Sequence, residues 1–462
     1  MPPRPRVAGP ARAARSLLGL GMVVAPSVRH APIDRSWPVV GRTFEARRDL
    51  LGTLQRLERR YGAVFHLSIP AVTLVMALSA EANELVLRNK DDALSSRRGW
   101  ARYIDHVFPG AIMGMDGDAH RRQRRIMQAA FQTAALRDYV ARMSPLIAAR
   151  VSTWGGRQRS AYSLLKRLTL DVATDVFVRP GHAPGRGRDA LNRAFVDAVA
   201  ASIALLRVEL WPLPYARGVR GAAYLQRHFR SLLPDKRRAP GDDLFSQLVL
   251  ARAEDGEVFT DDEIIHHLAF LMMAAHDTST SALTTLVYLL GKHPDHQERL
   301  REESYALGDG LPDFAALEAM TSLEHAVHEA LRLYPPLPVI PRVVAKPFAL
   351  HGYSFDPGRL VVVAPLFTHY DERLWTAPRR FDPDRFAPGR AEHQRHRSQW
   401  VPFGGGPHRC IGSRFALLEI KAILHQLLRR FRWSLPDRYE MPYQQMPIAR
   451  PRDGLPLELR PL

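Results

Sequence analysis

One cysteine, Cys410, stands in a chain of 462 residues, and its setting constrains the fold more than any other stretch. Gly404, Gly405 and Gly406 precede it. Such a run lets the backbone take positive φ and approach a flat partner without Cβ clashes. Beyond the thiol, Leu417, Ile420, Leu424, Leu427 and Phe431 recur three or four residues apart, the pattern of a helix with one buried face. Cys410 is therefore expected at the mouth of a helix, where free N–H groups and the dipole favour thiolate over thiol. One thiolate in a glycine loop, with open space beside it, suits a haem iron. A lone cysteine also serves as a small buried apolar residue, so the rest of the chain has to decide.

A net charge of +18 raises nucleic-acid binding as a function. Of the 65 basic residues only six are lysine, leaving 59 arginines scattered along the chain. No zinc-finger spacing or glycine–aromatic RNA-binding signature accompanies them, which argues against nucleic acid. A positive surface instead suits an acidic protein partner. No stretch reaches the roughly 18–20 continuous apolar residues of a membrane span, and one cysteine fits a reducing compartment. Arg4, Arg6, Arg12 and Arg15, followed by an apolar patch from Leu17 to Ala25, look superficially like a secretion signal. The segment 1–35 is read instead as an N-terminal arm touching a membrane surface, ahead of a single domain over 36–462.

Along the chain, Leu50–Tyr61 reads as helix, Phe65–Met76 as strand, and Ser79–Asn89 as helix with Ser79 as N-cap. Asp91 to Met115 reads as an irregular loop. His120 and Arg124, four apart, share one face of a basic helix. Residues 135–235 are helical, with breaks at 180–187 and 211–214. Thr260-Asp-Asp-Glu263 is a capping box opening a helix that runs to Leu290. Met273 and Ala274 lie near its middle, and Asp277 and Thr278 put a carboxylate and a hydroxyl into apolar surroundings. Back-bonding of such hydroxyls to helix carbonyls is the simplest reading. Thr321-Ser-Leu-Glu324 reads as a second capping box, for a helix carrying Glu329 and Arg332 as an i, i+3 pair. Phe348–Pro365 reads as strands with turns at His351-Gly and Asp356-Pro-Gly.

Phe403-Gly-Gly-Gly-Pro-His-Arg-Cys410-Ile-Gly412 resembles the haem-binding signature of the cytochromes P-450, Phe-x-x-Gly-x-(Arg/His)-x-Cys-x-Gly, with each fixed position filled. The resemblance covers roughly residues 36–460. It implies a mainly α fold with a small β-rich region enclosing heme b, and Cys410 as the iron ligand. Phe403, Gly404, Gly412 and Ala274 would lie against the haem, and His120, Arg124, Arg342 and His408 would hold its propionates. Asp277 and Thr278 match the oxygen-activating (Ala/Gly)-Gly-x-(Asp/Glu)-Thr groove, except that Ala275 stands where glycine is usual. Glu329, Arg332 and Arg385 (in Phe381-Asp-Pro-Asp-Arg385-Phe) match a buried charge network supporting the cysteine loop. Met273, Ala274, Leu337, Val339 and Ile340 would line the substrate pocket.

The activity implied is that of a monooxygenase inserting one atom of O2 into an apolar lipid, sterol or terpenoid. Electrons are expected from an acidic ferredoxin and its reductase, docking near Arg121, Arg122, Arg125, Arg409 and Arg414. A cytoplasmic place, possible contact of the arm with a membrane aside, goes with the resemblance. The alternative is a haem-thiolate enzyme driven by peroxide or isomerising its substrate, though such relatives tend to lose the acid–alcohol pair. A cysteine-nucleophile hydrolase would leave Glu329, Arg332 and Arg385 without explanation.

Overall fold

The computed structural model describes residues 30–462 apart from 35–40, 70–71, 159, 180–185, 203 and 205–206. Of the expected arm, residues 1–29 and 35 lie outside the described residues. Just before the gap, the Asp34 N–H donates to His66 O at 2.9 Å, and the His66 N–H to Pro32 O at 2.7 Å.

The elements that position the site are few. Helix α1 (Leu50–Tyr61) leads into an antiparallel pair, β1 (Val64–Ile69) and β2 (Val72–Ala77), and then α2 (Ala80–Arg88). The expected single strand over Phe65–Met76 is thus a hairpin. Alternation alone marks two adjacent strands and one long strand alike. Ser79 does cap α2, its hydroxyl accepting from the Ala82 N–H at 3.0 Å. The stretch read as irregular holds a short strand, β3 (Leu94–Ser95), and a helix, α3 (Ser96–Ile104). The Ser95 hydroxyl caps α3 by accepting from the Arg98 N–H at 2.9 Å. That cap was legible; the aromatic residues behind it masked the helical period.

Helices α4 (Gly117–Gln128), α5 (Thr133–Val151), α6 (Ala161–Phe177), α7 (Arg186–Ser202) and α8 (Pro214–Arg238) follow. Helix α9 (Asp261–Lys292) opens on the expected capping box, with both reciprocal hydrogen bonds present. Its 32 residues span about 48 Å at 1.5 Å per residue. After α10 (Pro294–Ala306) comes α11 (Thr321–Leu333), whose start differs from expectation. Thr321 is already helical and caps nothing; Glu303 of α10 accepts instead from the Ser322 and Leu323 N–H groups at 2.8 and 2.9 Å. Glu324, freed from the box, pairs with the buried Lys421. A remote carboxylate thus supplanted the local one at this helix end.

Strands β4 (Ile340–Val344) and β5 (Leu360–Val363) complete a five-stranded sheet in the order β1-β2-β5-β4-β3. All neighbours are antiparallel except β2 with β5. The last long helix, α12 (Ser413–Arg430), packs its apolar stripe against α5, α9 and α10. The main core lies among the helices and smaller clusters flank the sheet, so the mainly α class with a small β region holds. Among the described residues, no helix is long and apolar enough to cross a membrane.

Candidate active site

The cysteine loop crosses the C-terminal end of α2. Gly404 and Gly406 have φ of +68° and +60°. A methyl group on Gly406 would sit 2.1 Å from Leu87 O and 2.8 Å from Arg88 Cα, so here backbone packs on backbone. The loop is closed by its own amides: Gly404 N–H donates to Val401 O at 3.0 Å, and Cys410 N–H to Phe403 O at 2.9 Å. Replacing Gly406 with alanine adds a left-handed penalty to an overlap with main chain, and is expected to destabilise by about 2–4 kcal/mol. Gly404→Ala meets nothing nearer than 3.8 Å, and only the dihedral penalty of about 1–2 kcal/mol should remain. Denaturant unfolding of the two variants checks that order.

Cys410 is accessible to a water-sized sphere yet lies deep among protein atoms, so it looks onto a recess inside the fold. Burial pushes the thiol up, against the Gly412 N–H, Arg124 and Arg409, which pull it down. The expected bias of the helix mouth toward thiolate is therefore outweighed in the protein alone. Across the fold, Met273, Ala274, Ala275 and Thr278 are half-exposed in a helix whose neighbouring turns are buried. They too face internal space.

The acid and the alcohol of α9 part ways. The Thr278 hydroxyl donates to Ala274 O at 2.7 Å, the back-bonded state. Asp277 turns toward α6, where Lys166 Nζ lies 3.0 Å from its carboxylate, with His276 Nδ1 at 3.3 Å. Lys166 was not among the expected site residues, because the contact joins positions 111 apart.

Four basic side chains gather beside the loop. The rings of His120 and His408 have centroids 3.8 Å apart. Both histidines feel the positive charge of Arg124 and Arg342. Burial comes first in lowering them, His120 to about 4 and His408 to about 2. Burial likewise lowers Arg342, to about 10. Arg124 Nη1 donates to Arg409 O. The one acid that counters the charge on His120 and Arg342 is Asp116, and it already accepts from Ser95 Oγ and the Ser96 N–H. Two guanidiniums, Arg342 buried and Arg124 half-buried, beside two neutral imidazoles able to donate, suit carboxylates from outside the chain. Residues 340 and 342 share one face of β4. Ile340 Cδ1 accordingly lies 4.0 Å from the methyl position of Gly404, while Arg342 joins the cluster. Leu337 and Val339 are half-buried.

Behind the loop, the expected charge network is complete and sealed from solvent. Arg332 Nε and Nη2 donate to the Glu329 carboxylate at 2.7 and 2.9 Å, and Arg385 Nε to Glu329 Oε1 at 3.0 Å. Sequence reasoning missed a fourth member, Glu392, whose Oε2 accepts from Arg385 Nη1 at 2.9 Å. It sits seven residues beyond Arg385, in a segment without periodicity to mark it as buried.

Glu419 was also missed. It falls four residues after Phe415 and four before Ile423, on the buried face of α12, and a charge on an apolar stripe was the available signal. It is 1% exposed, and burial raises it to about 8. A carboxyl raised above its unfolded value of 4.5 stabilises fully below that value and loses the contribution as pH climbs through the folded one. Glu419→Gln is therefore expected to change little at pH 5 and to stabilise at pH 8 by something on the order of 3 kcal/mol. Thermal melts at the two pH values provide the check.

The donor set fits haem. Among the described residues, no group of three or more His, Cys, Asp or Glu side chains could hold a bare metal ion. One thiol facing a recess suits a metal that brings its other ligands with it, and the basic cluster suits two propionates.

Comparison with known proteins agrees. The family model described as Cytochrome P450 matches residues 32–458. A relative from Mycobacterium tuberculosis (strain ATCC 25618 / H37Rv), named putative cytochrome P450 136, is 38% identical over 439 residues, covering 93% of this chain and 88% of its own. The sterol 14alpha-demethylase of Mycolicibacterium vanbaalenii is 28% identical, covering 89% of this chain and 94% of its own. Among solved structures, retinoic acid bound cyanobacterial CYP120A1 superposes with a TM-score of 0.83 at 26% identity, covering 94% of this chain and all of that one.

Proposed function

The chain belongs to the cytochrome P450 family, making it a haem-thiolate monooxygenase acting on a substrate and O2, and we propose that it oxidises an apolar lipid, sterol or terpenoid. When bound, the haem supplies oxygen activation and transfer of one oxygen atom to the substrate. The observation that carries the residue assignments is a single thiol facing an internal recess beside four basic side chains, His120 and Arg342 buried and Arg124 and His408 half-buried.

In this reading Cys410 is the iron ligand. His120, Arg124, Arg342 and His408 hold the propionates, and Phe403, Gly404, Gly412 and Ala274 pack against the macrocycle. Thr278 holds a proton-bearing hydroxyl at the recess. To donate elsewhere it has to release Ala274 O. Asp277, once turned from Lys166 and protonated from water, passes that proton to the hydroxyl as the hydroxyl gives up its own, so Lys166 sets where that carboxylate rests. Met273, Ala274, Leu337, Val339 and Ile340 contact the substrate and exclude water. An apolar substrate is supported by these side chains and by the sterol and retinoic acid named for the relatives.

Spectral titration of the purified haem protein with sterols, terpenoids, fatty acids and polar aromatics tests the substrate class. Saturable Soret shifts with one of the first three groups are expected; a response confined to the polar compounds would overturn it.

For electrons the partner proposed is an acidic ferredoxin. Of the five arginines expected to meet it, Arg121, Arg122, Arg125 and Arg414 already carry acidic partners within this chain. Arg409, exposed beside the loop, is the strongest contact that remains. Arg409→Glu is expected to slow ferredoxin-driven turnover at low salt and to lose that effect as salt rises. Stopped-flow reduction at several ionic strengths measures it. One cysteine and the lack, among described residues, of a spanning helix support a cytoplasmic place.

A further inference from the structure

His369 lies between the end of α11 and the base of the cysteine loop, fully buried. The Val401 N–H donates to its Nε2 at 3.1 Å. A backbone amide only donates, so Nε2 carries no proton and Nδ1 does. Nδ1 in turn lies 3.2 Å from Arg332 O, to which it donates, while Arg332 Nη1 donates back to His369 O at 2.6 Å. Burial and the Arg332 charge lower the ring to about 3, in keeping with the neutral tautomer the geometry requires.

Val401 is held from its other side as well. Its carbonyl accepts from Gly404 N–H, in the turn from which Phe403 O reaches Cys410 N–H. Hydrogen bonds thus link the buried ion network to the backbone of the cysteine: Glu329, Arg332, His369, Val401, the Phe403–Gly404 turn and the Cys410 N–H. Asn83 stitches the same two segments together one step away, donating to Thr368 Oγ1 at 3.0 Å and Ser398 O at 3.1 Å. The glycines carry no side chains, so the turn is held by Gly406 packing on Leu87 and Arg88 and by the buried Val401. The Val401 amide supplies the register.

We propose that His369 is a positioning residue: through the Val401 amide it fixes the register of the cysteine loop, and so the placement of the Cys410 thiol. The inference rests on Cys410 being the iron ligand. Without the acceptor, a buried amide is left unpaired, and the loop shifts to find another.

The test compares His369→Phe and His369→Gln with wild type as full-length, haem-loaded protein. The readouts are the reduced carbon monoxide spectrum and the rate of haem transfer to an acceptor globin. Phenylalanine keeps the bulk and removes the acceptor. It is expected to release haem roughly 10–100-fold faster, with part of the carbon monoxide band moved off the wild-type thiolate position. Glutamine both donates and accepts, and is expected to restore both readouts toward wild type. The proposal is overturned if the phenylalanine variant matches wild type, or if glutamine is as impaired as phenylalanine. Should His369→Phe not fold, His369→Leu takes its place against glutamine. A wild-type protein without the red-shifted band would mark a different failure, that of the iron-ligand assignment itself.

Discussion

Cys410→Ser is expected to abolish the red-shifted Soret band of the reduced carbon monoxide complex and to lower turnover by more than roughly a hundredfold, since changes behind a ligand alone cost 10–100-fold. Serine is nearly isosteric and its oxygen is a harder donor, unable to push electron density as a thiolate does. The loop geometry should survive. It is built from main-chain contacts, the Cys410 N–H to Phe403 O and the Gly404 N–H to Val401 O, which serine retains. Folding and haem chemistry are thereby separated: the melt stays close to wild type while the spectrum changes. A variant that kept the thiolate band would falsify the ligand assignment outright.

The fold was legible in the sequence wherever the determining interaction is local. Ser79 and the Thr260–Glu263 box are caps read over four residues, and the structure contains them. Glu329 and Arg332 are one turn apart, and Arg385 follows in a recognisable motif. Long-range partners were not legible. Glu303 caps α11 from another helix, and Lys166 meets Asp277 across α6 and α9. His369 looks like any loop histidine until Val401 is brought to its ring. The contacts of Glu303, Lys166 and His369 pair residues 19 or more apart, which no local pattern can join.

The candidate site divides in the same way. Cys410, Gly404 and Gly406 announce themselves by composition, because the strained backbone needs glycine. His120 and Arg342 carry no local signal; only the resemblance joined them to His408 in sequence, and the fold places them beside it. The direction of Asp277 was beyond sequence too. Its i+1 relation to Thr278 already places the two side chains about 100° apart around the helix axis, but which neighbour receives the acid depends on α6. The pairing with Lys166 gives this acid an alternative to the recess.

Glu329→Gln should be the most damaging change behind the site, costing about 3–5 kcal/mol of the 5–15 that ordinarily separate folded from unfolded protein. Glu329, Arg332 and Arg385 are all 0% exposed, and Glu392 is nearly so. The two buried arginines are balanced by the two buried glutamates, so removing one negative charge strands a guanidinium where water cannot reach it. Glutamine keeps the size and one acceptor oxygen, which isolates charge from packing. The same carboxylate also accepts from the Asp382 N–H at 3.0 Å, so the segment carrying Arg385 loosens with it. Pairing the change with Arg332→Leu should recover part of the loss, because the pair then leaves together instead of leaving one partner behind. Chemical unfolding of the single and double variants decides the matter. If Glu329→Gln proves as stable as wild type, the network contributes no net charge balance, and the cysteine loop must be held chiefly by its contacts with α2.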